Sequence, residues 1–235
     1  MTDLPKWIAA AFPPDLVEMR LATRAAAVRA EGRRLVITLD DQGEVAARGV
    51  LLTSPVPQSL DLLAAGGTRG AFDEEALATL SAVDYDPCFA LMLVLDRPSL
   101  VPEPGGLQFG SGPLSWVADN LRKGISPLPS LTVHASGPWS RERFDGDQSV
   151  VAAELEALAA RWFEPGSVVE RALARWKFAQ PMGIVPAPFV AASRSPPVAC
   201  CGDAFDGPRV EGAAGSGRAA GAWMAEAIQI GRAHV

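Results

Sequence analysis

The stretch Val198-Ala-Cys-Cys-Gly-Asp-Ala-Phe-Asp-Gly-Pro-Arg-Val-Glu-Gly-Ala-Ala214 decides the fold prediction. Its apolar beginning is typical of a buried strand, Gly202-Asp203 predicts a turn, and the residues from Val210 predict a helix. A helix start carries unpaired backbone N–H groups and the positive end of the helix dipole. The pattern therefore favours a phosphate or a negatively charged ring at this point, with Asp203 accepting hydrogen bonds from sugar hydroxyls.

An ordinary strand, loop and helix preceded by an acidic residue would show the same pattern. Two details favour a binding function. Gly207-Pro208 predicts a tight turn just before the helix, and Gly212-Ala-Ala214 keeps the first helical turn free of bulk. A flat ring or a pyrophosphate can approach such a backbone closely.

The composition sets limits on fold and function. The chain has 235 residues, is 49% hydrophobic and carries a formal charge of −6, which favours one or two globular domains and argues against nucleic acid as a partner. No run approaches the roughly 18 apolar residues of a membrane helix, and the first residues do not form a secretory signal. We therefore predict a cytoplasmic protein without a membrane partner. Three cysteines and two histidines without ligand spacing predict no metal site.

The pattern of apolar residues predicts an α/β fold with an α+β insertion. Expected helices are 4–12, 58–65, 72–83, 147–163 and one from 210; expected strands are 16–21, 25–30, 34–39, 49–53, 87–95, 114–118, 130–135, 168–178 and 198–201. Hairpin links dominate the middle region, which is typical of an antiparallel sheet with helices on one face. We place the parts of the first domain at 1–68 and 182–227 and the inserted domain at 69–181.

Several segments resemble one flavoprotein family in their order and spacing. They are the Gly-Asp turn with Arg209-Val-Glu-Gly212, Ser54-Pro-Val-Pro-Gln58, Leu114-Ser-Trp-Val-Ala-Asp-Asn120, His134-Ala-Ser-Gly-Pro-Trp139 and Arg175-Trp-Lys-Phe-Ala179. Together they resemble renalase-like FAD-dependent oxidoreductases of the amine-oxidase superfamily. The resemblance implies an FAD-binding α/β domain interrupted by an antiparallel-sheet substrate domain.

The resemblance also implies site residues and a reaction. It assigns cofactor contacts to Ala25, Pro55, Gly202, Asp203, Arg209, Val210, Glu211 and Gly212, and substrate contacts to Trp116, Asn120 and Trp176. It implies that FAD takes a hydride from a small, dihydronicotinamide-like substrate and passes the electrons to dioxygen, which requires no catalytic side chain. An amine oxidase or desaturase of the same fold is the alternative, and an aromatic cage would favour it. His134 is more often a structural residue than a catalyst in such a strand.

Both ends of the chain depart from the family pattern. The Gly-x-Gly-x-x-Gly phosphate loop of an FAD domain is missing, and Gly215-Ser-Gly217-Arg-Ala-Ala220 lies inside the predicted helix instead. We expect an N-terminally truncated chain that lacks the first strand, loop and helix, leaves the strands near Val50 and Val198 unpaired at an edge, and is inactive alone. An inert fragment without flavin is therefore a third possibility. The end, Ile230-Gly-Arg-Ala-His-Val235, matches a translated sequencing adapter, so 228–235 is predicted to be non-native and His234 is excluded from any site.

Overall fold

The computed structural model describes residues 3–41 and 43–230. Six helices are present in this part: α1 Asp3–Ala10, α2 Val56–Ala65, α3 Glu74–Ser81, α4 Gly137–Arg143, α5 Gln148–Ala159 and α6 Val210–Ile230. Eleven strands accompany them: β1 Ala25–Glu31, β2 Arg34–Leu39, β3 Glu44–Ala47, β4 Val50–Leu52, β5 Tyr85–Leu95, β6 Gly106–Gln108, β7 Leu114–Asp119, β8 Ser130–Ala135, β9 Val168–Pro181, β10 Val190–Ala191 and β11 Val198–Cys200. His234 and most of the predicted non-native tail lie outside the described residues.

The strands form three sheets. The order is β1-β2-β3 in an antiparallel meander, β10-β11-β4 in a short mixed sheet, and β6-β7-β8-β5-β9 in an antiparallel sheet. In the mixed sheet β11 runs parallel to β4 and antiparallel to β10. The result is a mixed α/β structure with antiparallel sheets, as predicted. No helix within the described ranges is both long and apolar enough to cross a membrane.

The meander and the mixed sheet share one apolar core with α2 and α3. Leu35, Leu63, Leu80 and Phe205 are among its fully buried side chains. The end of α2 comes so close to β1 that a Cβ atom at Gly66 would lie 1.8 Å from the carbonyl oxygen of Val28. Only glycine fits at this position, which explains the residue type at the end of α2.

The five-stranded sheet has a second core on one of its faces. Alternate residues of β5, Phe89, Leu91 and Leu93, are fully buried against α5, as the period of two in a strand requires. Asp147 begins α5 by accepting a hydrogen bond from the backbone N–H of Ser149 at 2.7 Å. Pro87 lies in β5 where the register shifts between Asp86 and Cys88, and this irregularity accommodates a residue without an N–H. The opposite face of this sheet carries the cavities described below.

Two local predictions are wrong. Residues 16–21 form no strand; Leu16 and Leu21 are 78% and 79% exposed, and the Leu16 N–H instead donates to the Pro13 carbonyl at 3.0 Å in a turn. The strand at Val198 is not at an edge, because β10 pairs with its second side. Of the two strands only β4 is at an edge within the described residues. Strand β10 was not predicted, because it is two residues long and lies in a proline-rich segment.

Candidate functional site

The carboxyl ends of β4 and β11 lie side by side and define the candidate site. The Cys201 N–H donates to the Leu52 carbonyl at 3.0 Å, and a Cβ at Gly202 would be 3.3 Å from the Thr53 carbonyl oxygen. The turn Gly202-Asp203 therefore adjoins the segment that continues into Pro55. Ligands of open α/β sheets bind outside the carboxyl ends of parallel strands, and this edge is such a place.

A buried serine connects the turn to α6. Ser216 is 0% exposed; its Oγ accepts from the Gly202 N–H at 2.9 Å and donates to the Pro188 carbonyl at 2.6 Å. Gly202 has a φ of 132°, which an L side chain rarely adopts. Sequence reasoning missed Ser216, because it lies among small residues that indicate only close helix packing.

Tyr85 is a second residue that the sequence did not reveal. It is 3% exposed, and its hydroxyl donates to Asp203 Oδ1 at 3.0 Å while accepting from the Val56 N–H at 3.4 Å. Burial, and then the charge of Asp203, raise the pKa of the phenol well above its usual range, so the hydroxyl stays a donor. Oδ2 of Asp203 accepts no hydrogen bond from the described residues.

The start of α6 is open to solvent. Arg209, Val210 and Glu211 are exposed and Gly212 is half-buried. The Ala213 N–H donates to the Arg209 carbonyl at 2.9 Å, so the three N–H groups before it have no acceptor within the helix. Residues 206 and 207 fold against this turn: a Cβ at Gly212 would lie 2.4 Å from the Gly207 carbonyl oxygen. The glycine thus makes room for the chain itself.

Ala25 lies in a separate depression, cavity A, of about 650 Å³. Cavity A is lined by Thr23, Arg24, Ala25, Ala26, Asp40, Ser54, Gln58, Asp61, Leu62 and Ala65. Its wall includes Ser54, the residue before Pro55, and this links it to the edge formed by β4. Two of the lining residues, Arg24 and Asp40, form an exposed ion pair with 3.6 Å between Nε and Oδ2.

Two further cavities lie on the open face of the five-stranded sheet. Cavity B, of about 500 Å³, is lined by Asp86, Pro87, Cys88, Ser115, His134, Ala135, Gly137, Trp176, Phe178, Ala179 and Gln180. Cavity C, of about 460 Å³, is lined by Trp116, Ala118, Asn120, Lys123, Ile125, Thr132 and His134. The predicted substrate residues are thus divided: Trp176 lines B, Trp116 and Asn120 line C, and His134 lines both. Burial, and then the nearby Lys123, lower the pKa of His134.

The turn and cavity B are connected through two aromatic rings. Phe178 lines cavity B and meets the Tyr85 ring edge-on, with 5.7 Å between the centroids. The hydroxyl of Tyr85 in turn binds Asp203. The structure therefore brings Pro55, Gly202, Asp203 and, through Ser216, the N-terminal half of α6 into one neighbourhood, and Tyr85 and Phe178 connect this neighbourhood to cavity B. None of Arg209, Val210, Glu211 or Gly212 lines cavity A, B or C.

Solved structures with a similar fold carry the names of enzymes with differing activities. A putative protoporphyrinogen oxidase from Exiguobacterium sp. matches with a TM-score of 0.61 and 21% identity, over 89% of this chain and 48% of the other. A putrescine oxidase redesigned in its cofactor binding matches with a TM-score of 0.60 and 14% identity, over 88% and 48%. A reduced UDP-galactopyranose mutase matches with a TM-score of 0.53 and 15% identity, over 75% and 39%. The chain thus spans about half the length of the structures that it matches, and these similarities establish the fold.

The sequence establishes the family. The family described as flavin containing amine oxidoreductase matches residues 1–222. This match confirms the superfamily and FAD as its cofactor, whereas the renalase-like subgroup stays a prediction. The chain belongs to the flavin-containing amine oxidoreductase family.

Proposed function

We propose that this chain forms part of a renalase-like FAD-dependent oxidoreductase that oxidises a small, dihydronicotinamide-like substrate with dioxygen as electron acceptor. One observation carries the proposal. The Gly202-Asp203 turn lies beside the end of β4, is bonded to α6 through Ser216, and leads through Tyr85 and Phe178 to a cavity with aromatic walls. A cofactor bound along that edge, with its sugar chain at Asp203, would present its ring to a substrate in cavity B.

The residues at this edge fit the sugar and ring portions of FAD. Asp203 has a carboxylate oxygen, Oδ2, without a partner among the described residues, and it can accept a hydrogen bond from a hydroxyl. The free N–H groups from Val210 to Gly212 offer donors for a negatively charged ring edge. No glycine-rich turn joins a strand to a helix within the described residues; Gly215 and Gly217 lie inside α6. The phosphates of FAD therefore have no such loop in this part of the chain.

When bound, FAD supplies the acceptance of the hydride and the later transfer of electrons to dioxygen. The chain's own residues would orient the cofactor and stabilise negative charge on it. Tyr85 holds Asp203 in place, Ser216 fixes the turn against α6, and the positive end of the α6 dipole favours negative charge on a nearby group. No side chain has to remove a proton for hydride loss from a dihydronicotinamide, so His134 has no required catalytic role.

The lining of cavity C favours a dihydronicotinamide over an amine. A cage for a cationic amine needs aromatic faces without a competing positive charge. Here Lys123 Nζ lies 5.5 Å from the centroid of Trp116. An amine oxidase is the second candidate, because Trp176 and Phe178 both line cavity B, away from that lysine. The third possibility is a chain that takes up no flavin, because Gly215 and Gly217 lie inside α6 and not in a strand-to-helix turn.

Reduction of the loaded flavin distinguishes the two enzymatic candidates. Protein reconstituted with FAD is mixed without oxygen with either a reduced nicotinamide nucleotide or putrescine, and the visible flavin absorbance is followed. We expect rapid bleaching with the nucleotide and recovery of the absorbance when oxygen is admitted. Bleaching by putrescine and not by the nucleotide would refute the proposed function and support amine oxidation. Failure to retain any FAD would leave the third possibility.

A further inference from the structure

We propose that cavity C is the distal half of the substrate site and selects an oxyanion, a carboxylate or phosphate, on a ligand whose flat ring lies in cavity B. The inference rests on the proposed function in one respect, the assignment of the reacting ring to cavity B. The selection of an anionic group depends only on the residues of cavity C and can be measured without flavin.

Cavities B and C adjoin along one face of the five-stranded sheet. His134 on β8 lines both; it is paired with Trp116 on β7 and with Ala90 on β5. Trp176 on β9 is paired with Cys88 on β5 and marks the far side of cavity B. Cavity B has a volume of about 500 Å³ and cavity C of about 460 Å³, so the two in combination offer more space than a single ring needs. A ligand with a ring and an extended substituent fits this shape.

Lys123 is exposed and gives cavity C a positive charge, which lies over the Trp116 ring and has no acidic partner among the described residues. Its ammonium forms no ion pair with any described residue, and no acidic residue lines cavity C. The neighbouring Arg122, by contrast, is paired with Glu103 at 2.9 Å and with Asp119 at 3.6 Å. Of the two adjacent basic residues, only the one that faces the cavity lacks an acidic partner. An anionic ligand supplies that partner.

The other polar groups of cavity C supply N–H donors beside the lysine. The Asn120 amide uses one N–H on Thr132 Oγ1 at 3.0 Å, which leaves its second N–H available. His134 has a lowered pKa from burial and from Lys123, and its neutral ring offers one N–H donor. Its other titratable neighbours lie in cavity B: Cys88, and Asp86, which is paired with Arg141 at 2.7 Å. Donors and a cation without a free carboxylate favour an oxyanion.

The aromatic wall of cavity C is held in place by the backbone. A Cβ at Gly106 would lie 2.7 Å from the Trp116 ring, so this ring packs directly on the main chain of β6. This contact restricts the ring on the side of β6. A preformed apolar wall beside a cation suits a planar or sugar-linked anion better than a hydrated inorganic ion.

Matched ligands that differ in one anionic group test the proposal. Calorimetry on the flavin-free chain compares reduced nicotinamide mononucleotide with reduced nicotinamide riboside, and nicotinate with nicotinamide. We expect the anionic member of at least one pair to bind roughly tenfold more tightly. Lys123→Met should remove most of that difference. Lys177→Met is the control, because Lys177 also lies over a ring, 5.2 Å from that of Phe178, but lines neither cavity; it should retain the difference.

A second readout does not depend on a variant. The NMR signals of the His134 ring should shift with the anionic member and hardly at all with its neutral partner, and 0.5 M salt should reduce the difference in affinity. The pair that shows the preference identifies phosphate or carboxylate as the group selected. Equal affinity within both pairs, or a difference that survives Lys123→Met, overturns the proposal. A chain that selects the anion but never retains FAD refutes the proposed function and not the anion site.

Discussion

Ser216→Ala tests the connection between the turn and the last helix. The Ser216 hydroxyl is completely buried and makes two hydrogen bonds, with the Gly202 N–H at 2.9 Å and the Pro188 carbonyl at 2.6 Å. Each such bond contributes about 1 kcal/mol net, and an unsatisfied buried group costs more. We expect the free energy of unfolding to fall by about 2 kcal/mol, or the Tm by roughly 4–8 °C at this chain length.

Urea unfolding followed by circular dichroism and tryptophan fluorescence measures this change. Ser140→Ala is the matched control: Ser140 is also 0% exposed, but its Oγ accepts a single, longer bond of 3.3 Å from the Phe89 N–H in the five-stranded sheet. It should cost about 1 kcal/mol or less and leave FAD affinity unchanged, whereas Ser216→Ala should also weaken FAD binding. An unfolding free energy for Ser216→Ala within about 0.5 kcal/mol of the original chain would refute the role given to this serine.

Three further changes test other parts of the site. Gly212→Ala should reduce both stability, by about 1–3 kcal/mol, and FAD affinity, because its Cβ would lie 2.4 Å from the Gly207 carbonyl oxygen; unfolding and FAD titrations measure both. Tyr85→Phe removes the donor to Asp203 and should cost about 1–3 kcal/mol in the same unfolding assay. The pKa of His134 is lowered from 6.5, so the unfolded state binds the proton more readily, and stability should fall as the pH drops below about 6.5. His134→Gln should flatten that part of the stability profile.

Each of these three changes has its own control or contrary result. Gly217 lies in the same helix, and a Cβ added there would meet nothing within 4 Å, so Gly217→Ala should stabilise by up to about 1 kcal/mol. Equal effects of the two glycine replacements would contradict the importance of the loop contact at Gly212. Asp203→Ala removes the acceptor of the tyrosine hydroxyl, so combining it with Tyr85→Phe should cost less than the sum of the two single losses; a cost equal to that sum would show that the two residues do not interact. If the stability of His134→Gln still falls in the same way below pH 6.5, other titratable groups cause that fall.

The sequence was most informative where local rules determine the structure. Val198–Cys200 is a strand and Val210 begins a helix, because an apolar run, a glycine turn and a run of small residues each act locally. The helix predicted over residues 72–83 is present as Glu74–Ser81; it begins later than predicted because Asp73 caps it, with its side chain accepting from the Ala76 N–H at 2.9 Å. The prediction for residues 16–21 failed because an apolar run without a pairing strand stays a turn.

The contacts that define the site were beyond sequence reasoning. Tyr85 and Asp203 are separated by 118 positions and meet only because β5 and the turn share one core. Ser216 is recognisable as a hydrogen-bonding residue only when the segment around Pro188 passes over α6. Trp116 and Trp176 are both predicted to contact the substrate. The sheet register places them in adjoining cavities, with His134 lining both. The pairing of strands, and not the residue types, determines which side chains share a cavity.

Equilibrium binding of FAD tests the central claim most directly. The chain and its Asp203→Ala variant are titrated with FAD, and the quenching of flavin fluorescence gives the two dissociation constants. We predict saturable binding by the original chain and at least about tenfold weaker binding by the variant, since a charge-assisted hydrogen bond is lost. Saturable binding of equal affinity in both proteins would contradict the assignment of Asp203 and its turn to the cofactor.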